Sequence, residues 1–254
     1  MKYLALIAIA ILVMIAPCLA DAQSSLFRDA FACPDRGPLS VCIFGTIPSG
    51  KQITAVAKDW KSSAVPKEQF KDSIENGAKT ITRLEVTKPP PAKAYLIAIL
   101  VAAETVTVLP LKEVQDEAVV RRITQYLENA KELKTESDLH DATKTRLLRL
   151  SPTILLSETF LTPPGSPDSG GKVSVGCEYC EMIPMLVGRD LMDLFAEIRS
   201  PNICGGIASA FALSGRTYVA SYASSCESDS FSANLIHDLS GKQAKLVFKS
   251  TGGL

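Results

Sequence analysis

The sequence has no excess of either charge and few of the residues that most often carry out chemistry. Lys and Arg total 27, as do Asp and Glu, so no net charge draws the chain to nucleic acid or an anionic membrane. Histidine occurs twice, and no serine-hydrolase, zinc-protease or calcium-loop motif is present. These absences disfavour nucleic-acid-binding proteins and the common hydrolases, and the sequence predicts no cofactor and no metal.

Long apolar runs are lacking except at the amino end, where residues 1–22 are typical of a signal peptide. Lys2 precedes an uncharged run that is followed by Pro17 and by the small residues Ala20 and Ala22. The aliphatic segment 4–16 is shorter than the ~20 residues that span a bilayer, and small residues at this spacing suit signal peptidase. We therefore expect a periplasmic or extracellular protein that begins at Gln23 and has no stable membrane span after cleavage.

Export would make disulfides the expected state of the cysteines. The cysteines that remain after the leader are Cys33, Cys42, Cys177, Cys180, Cys204 and Cys226. Their even number predicts three disulfides. Two lie together early in the chain and four late, which favours local pairing within each group but leaves the connectivity open.

Hydrophobic periodicity predicts an α+β fold: a mixed or antiparallel sheet with packed helices, stabilised by up to three disulfides. Apolar residues four apart predict a helix at 65–79, a longer apolar stripe predicts one at 112–134, and a third is expected after Cys180. Strands are predicted at 40–44, 80–87, 95–103, 146–150, 153–161 and 216–224, with a hairpin formed by 231–239 and 243–249.

A Pro- and Gly-rich stretch, residues 163–171, interrupts every periodic pattern. It predicts a linker or long exposed loop between an amino-terminal α+β region at 23–162 and a carboxy-terminal, cysteine-rich α+β region at 172–254. Whether these are two true domains stays open.

The spacing Cys177-x-x-Cys180, before a predicted helix, resembles the active-site segment of thioredoxin-family proteins. The resemblance covers about a dozen residues and implies a nucleophilic Cys177, a resolving Cys180 and thiol-disulfide oxidoreductase activity. Glu178 and Glu181 oppose such chemistry, because negative charge raises the pKa of a nearby thiol. The competing interpretation is a pair of structural half-cystines in a tight corner.

The two histidines, His140 and His237, are each followed by aspartate. Adjacent residues of a strand point to opposite faces, so Asp238 cannot orient His237 as a catalytic dyad requires. With no catalytic set, the sequence favours an exported, disulfide-stabilised, non-enzymatic protein that binds a protein or cell-envelope partner. The alternative is an oxidoreductase that uses Cys177 and Cys180.

Overall fold

A computed structural model describes residues 26–47, 50–74, 77–92, 95–129, 144–161, 181–188, 190–196, 203–225, 232–241 and 243–251. Within these ranges the chain is mostly β, so the predicted α+β fold with packed helices is wrong. The strands are β1 Phe27–Ala32, β2 Ser40–Phe44, β3 Ile53–Ala57, β4 Trp60–Ile74, β5 Gly77–Val86, β6 Leu96–Ile99, β7 Val106–Val108, β8 Lys112–Val114, β9 Lys144–Arg149, β10 Leu155–Leu161, β11 Glu181–Val187, β12 Leu191–Asp193, β13 Ile203–Leu213, β14 Arg216–Ser225, β15 Ser232–Asp238 and β16 Lys245–Thr251. The described helices are α1 Glu117–Asn129 and two 3-10 turns, Pro34–Arg36 and Ala103–Thr105.

The first six strands close into an antiparallel barrel in the order β1-β2-β5-β4-β3-β6. Alternate side chains point inward, as the two-residue period of a strand requires, and they are small or branched. The interior residues include Ala30, Val41, Ile43, Ala55, Leu84, Leu96 and Ala98. The barrel interior is therefore a packed apolar core.

The remaining strands form two five-stranded antiparallel sheets. The central sheet has the order β16-β15-β14-β13-β7, and the outer sheet has the order β12-β11-β10-β9-β8. Leu148 and Leu156 of the outer sheet pack against Ile207 and Val219 of the central sheet. On its other face the outer sheet packs against α1 through residues such as Leu147 and Ile123. The order of layers is thus barrel, central sheet, outer sheet and helix.

Aromatic residues join the barrel to the central sheet. Phe27 of β1 points out of the barrel, and its ring centroid lies 6.1 Å from that of Phe211, 5.7 Å from Tyr218 and 6.0 Å from Phe248. Tilted and edge-on arrangements at these distances are the favourable geometries for aromatic pairs. Phe27 and Phe211 are fully buried, so this cluster forms a buried apolar contact between the two bodies.

The helix predicted at 65–79 is wrong, because the hairpin β4–β5 occupies this segment. Phe70 and Ile74 are four residues apart on β4, and this spacing also fits one face of a strand, since four is twice the strand period. Ala78 lies across the turn on β5, where it pairs with Ser73. Gly77 opens β5 after Asn76, and Asn-Gly is a strong hairpin signal. The spacing was compatible with both structures, and the tertiary pairing selected the strand.

The helix predicted at 112–134 is confirmed in part. Residues 112–114 form the edge strand β8, and α1 runs over 117–129 with Ile123 and Leu127 buried and Tyr126 43% exposed. The helix predicted after Cys180 is wrong, because β11 and β12 occupy residues 181–187 and 191–193. The apolar residues of this segment alternate between the two faces of the outer sheet, and both faces are covered.

Most strand predictions are confirmed, including β2 and the β15–β16 hairpin. The apolar run at 95–103 contains β6, whose four residues are all buried. No helix in the described ranges has the length and apolar character needed to cross a bilayer. Residues 163–171 lie outside the described residues, so the two-region division stays a prediction.

We predict that Gly205→Ala destabilises the protein because β13 passes very close to its neighbours at this residue. A Cβ at position 205 would overlap the carbonyl oxygen of Tyr222 and would lie 2.8 Å from the ring of Phe195. We expect a loss of about 1–3 kcal/mol in urea unfolding, the range typical of overpacked cores. Gly188→Ala is the matched control, because its Cβ would meet only the Asp190 carbonyl oxygen at 3.7 Å. Equal free energies of unfolding for the two variants would contradict the close packing of β13 against Tyr222 and Phe195 at Gly205.

Candidate functional site

The structure places the predicted cysteines in three situations. Cys33 and Cys42 form a disulfide with a Cα–Cα distance of 5.8 Å, as their early, isolated positions suggested. Cys204 belongs to β13, where its backbone pairs with Ser224. The other predicted site cysteines, Cys177, Cys180 and Cys226, lie outside the described residues.

The segment after Cys180 lacks the helix on which the oxidoreductase interpretation relied. In that interpretation a helix begins at the motif, and its amino terminus stabilises a thiolate. The chain instead runs as a strand from Glu181 to Val187, paired with β10 over its whole length. The helix that the thioredoxin-like resemblance implied is not formed by these residues.

The histidines offer no catalytic pair in the described part of the chain. His237 pairs with Val219, points toward the outer sheet and is 4% exposed, and its Nδ1 has no hydrogen-bond partner among the described residues. Asp238 is buried and forms an ion pair with Arg216. Asp238 therefore pairs with Arg216 and does not orient His237, as predicted from their adjacent positions. His140 lies outside the described residues.

A set of half-buried phenylalanines and cations lies on the outer wall of the barrel. Phe44 pairs with Ile81, which pairs with Phe70, so these three form one row across β2, β5 and β4. The next row contains Cys42, Arg83 and Glu68, with Phe31 opposite Cys42. We call the surface of Phe31, Phe44, Phe70, Arg36, Lys79, Arg83 and Glu68 the aromatic barrel face.

Cations cover two of these rings. The Arg36 guanidinium carbon lies 4.4 Å from the centroid of Phe70, and the Lys79 ammonium lies 5.2 Å from that of Phe44. Phe44 also packs on Phe31 with a centroid distance of 5.2 Å. Cation–π contacts of this kind occur about once in 70–80 residues, so two on one sheet face are a local concentration.

The disulfide fixes the turn that carries Arg36 to this face. Cys33 precedes the 3-10 turn Pro34–Arg36, and Cys42 lies in the wall of the barrel. The Arg36 carbonyl accepts a hydrogen bond of 2.7 Å from the Ser40 hydroxyl, and Arg36 reaches Glu68 at 3.9 Å. A covalent bond, a turn and an ion pair thus hold the arginine over Phe70.

A second group of polar residues lies where the barrel meets the central sheet, and we call Asp29, Asn234 and Ser250 the polar junction. Asn234 Nδ2 donates to Asp29 Oδ1 at 2.8 Å, and the Ser250 hydroxyl donates to Asp29 Oδ2. Burial raises the pKa of Asp29 to about 6, and the hydrogen bond from Asn234 offsets part of this rise. Asn234 Oδ1 is buried and has no hydrogen-bond partner among the described residues.

Two tyrosines border the polar junction. Tyr222 pairs with Asn234 in the central sheet, and its ring stacks on Tyr95 with a centroid distance of 3.4 Å. Burial raises the pKa of Tyr222 to about 12, so its hydroxyl stays protonated and can donate a hydrogen bond. Tyr95 is 40% exposed, so this stack leads from the polar junction to the surface.

The aromatic barrel face has side chains suited to binding a partner, and the polar junction has a side chain suited to binding a proton. The aromatic barrel face offers rigid rings and a guanidinium group that can bind two acceptors at once, and the polar junction offers a carboxyl group with a raised pKa. In the described ranges, no three His, Cys, Asp or Glu side chains are placed to hold a metal ion. Sequence reasoning identified neither group, because each is assembled from separate strands.

Comparison with protein-family models, with curated proteins and with solved structures gives no match for this chain. The candidate sites therefore rest on the geometry of the described residues.

We predict that Asp29 and His237 have opposite effects on the pH dependence of stability. The pKa of Asp29 is raised from 3.8 to about 6, so its contribution to stability is lost as the pH rises through this window. Burial lowers the pKa of His237 from 6.5 to about 4, so its contribution is lost as the pH falls through nearly the same window. Each effect is on the order of 2 kcal/mol, and in the wild type they largely cancel.

The two variants Asp29→Asn and His237→Gln separate these effects in urea unfolding between pH 4.5 and 7.5. Relative to wild type, Asp29→Asn should gain stability as the pH rises, and His237→Gln should lose it. Gln125→Ala, which replaces an uncharged, exposed residue of α1, is the control and should show the same pH dependence as the wild type. Variant curves that run parallel to wild type would show that neither group is perturbed by burial.

Proposed function

We propose that this chain is an exported, disulfide-stabilised, non-enzymatic binding protein that recognises a protein partner through the aromatic barrel face. The observation that supports this most directly is the row of half-buried phenylalanines flanked by Arg36 and Lys79. Aromatic residues and arginine are enriched in the cores of protein–protein interfaces, and lysine is depleted there. The expected centre of the interface is therefore Phe70 with Arg36, and Lys79 belongs to its rim.

The rigidity of this face favours binding. Phe31, Phe44 and Phe70 are placed by strands of a closed barrel, and Arg36 is held by the neighbouring disulfide. Side chains that are already ordered lose little conformational entropy when a partner binds, so a larger part of the contact energy becomes affinity. The ladder between β4 and β5 continues beyond Phe70 and Ile81, and this extension of the hairpin provides further surface beside Phe70.

Site-specific photo-crosslinking in the producing cells tests this surface. A benzophenone side chain at Asp72, which shares the strand face of Glu68 and Phe70, should give one discrete adduct. The same probe at Gln125, an exposed residue of α1, should give none. Combining Phe70→Ala with Arg36→Gln should reduce the adduct about tenfold, because a loss of about 1.4 kcal/mol from two central residues weakens binding by that factor.

The matched control for this experiment is Tyr126→Ala, which removes an aromatic ring that is 43% exposed on α1. This variant should leave the adduct unchanged. A full-strength adduct in the Phe70 and Arg36 variant, with a native circular dichroism spectrum, would exclude the aromatic barrel face as the binding surface. So would an equal yield of adduct from Gln125.

Export is the second part of the proposal. The signal-like residues 1–22 support it, and so does the Cys33–Cys42 disulfide, since disulfides form and persist in oxidising compartments. Amino-terminal sequencing of protein isolated from the envelope or medium should give Gln23 as the first residue. Recovery of the native protein from the cytosol with Met1 in place and Cys33 reduced would contradict export. It would leave the crosslinking test unaffected.

A further inference from the structure

Asp29 is the point at which two strands of the central sheet bind the barrel through side chains. Its two carboxylate oxygens accept hydrogen bonds from Asn234 of β15 and Ser250 of β16, which are 205 and 221 residues away along the chain. Both donors are uncharged. Phe27, two residues earlier on the same face of β1, is fully buried against the same sheet. A carboxyl group therefore lies at one end of a largely apolar contact. Elsewhere in this contact, Ser209 Oγ donates to the Ala57 carbonyl oxygen and Lys61 Nζ donates to the Val106 carbonyl oxygen.

The hydrogen bonds of this cluster lack one donor. Asn234 Oδ1 belongs to the same amide group that donates to Asp29, and it is buried without a partner among the described residues. An ionised carboxylate can only accept, so it leaves this oxygen unsatisfied. A neutral carboxyl group has one O–H to donate, and it sits beside the amide that needs it. Because a buried acceptor without a donor is destabilising, the two side chains are better matched when Asp29 carries a proton.

We propose that Asp29 is a proton-controlled contact between the barrel and the central sheet, which holds the two bodies together when neutral and loosens them when ionised. Ionisation replaces a satisfied neutral pair by a charge that two neutral donors stabilise less well than water does. Opening of the contact rehydrates the carboxylate, so the open state gains in population as the proton leaves. The proton goes to solvent, and no other group has to change its charge.

Two tyrosines lie on the same side of the contact as Asp29. Tyr95 precedes β6, the barrel strand that pairs with β1, and Tyr222 comes from the central sheet. Burial raises the pKa of both tyrosines above its ordinary value of 10, so they stay neutral while Asp29 titrates. The raised pKa of Asp29, about 6, places its change of charge between pH 5 and 7.

The charged residues nearest to the polar junction along its strands belong to other faces. Arg28 adjoins Asp29 on β1 and Lys249 adjoins Ser250 on β16, and adjacent residues of a strand point to opposite sides. Glu158 reaches the central sheet from the outer sheet, where the Ile207 amide donates to it at 2.7 Å. Among the described residues, Asp29 is therefore the group of the polar junction that changes charge near neutral pH.

The pH dependence due to His237 makes it possible to distinguish opening of this contact from global unfolding. It lies on β15 like Asn234, but it points to the outer sheet, on the face opposite Asp29. Global unfolding exposes both groups, so their opposite pH effects largely cancel. Separation of the barrel from the central sheet exposes Asp29 and leaves His237 buried against the outer sheet. The proposed contact therefore predicts that the population of the open state changes with pH while the free energy of global unfolding changes much less.

Hydroxyl-radical footprinting of the mature protein tests the proposal, because it measures the exposure of individual side chains. Phe27 and Phe248 report on the contact, and Leu147 and Leu127, which pack between the outer sheet and α1, serve as internal controls. Between pH 4.5 and 7.5 the open population of the wild type should rise on the order of tenfold, the change expected for one such carboxyl group. Labelling of Phe27 and Phe248 should increase accordingly, and that of the control leucines should stay constant.

Two variants complete the design. Asp29→Asn replaces the acid by a neutral side chain of the same shape that can still donate and accept, so labelling should remain at its low value at every pH. Ser250→Ala removes a donor and keeps the acid, so the rise with pH should persist. Constant wild-type labelling across the pH range would overturn the proposal, as would an equal rise in Asp29→Asn. If Asp29→Asn does not fold, labelling of the wild type and of Ser250→Ala across the pH range tests the proposal. Loss of the rise in labelling in Ser250→Ala, which keeps the acid, would also contradict the assignment to Asp29.

Discussion

The burial of the central sheet on both faces is the constraint on which the rest of the fold depends. One face packs against the barrel through Phe211, Tyr218 and Ile236, and the other packs against the outer sheet through Val219 and Ile207. A sheet covered on one side only would leave a broad apolar surface in water, so each neighbouring body is needed to complete it. The barrel lies on one side of this layer, and the outer sheet followed by α1 lies on the other.

The same constraint explains the two candidate sites. Ala30 and Ala32 on the inner side of β1 pack in the barrel interior, and the outward residues of β1 either bury against the central sheet or face solvent. Phe27 does the first, Asp29 lies at the boundary, and Phe31 belongs to the aromatic barrel face. One strand thus carries an apolar anchor, a proton-binding group and part of the proposed interface in three successive outward positions.

Local patterns predicted individual strands well and the assembly poorly. β2 and the β15–β16 hairpin have alternating or fully buried patterns bounded by turn residues, and both features are local. The segment that became β4 has a four-residue spacing that fits helix and strand alike. β13 contains Gly205, Gly206 and several alanines, so its hydrophobic signal is weak although its neighbours bury it. The polar junction could not be predicted, because its partners are more than 200 residues apart.

The most direct test of the layered architecture is residue-resolved hydrogen exchange of the mature protein. If the doubly covered central sheet is the last part to open, the amides of β13, β14 and β15 should exchange most slowly, with an opening free energy equal to that of global unfolding. The exposed hairpin residues of β4 and β5 and the edge strand β8 should exchange much faster. Rapid exchange across β14, with the slowest amides confined to the barrel, would contradict the central claim.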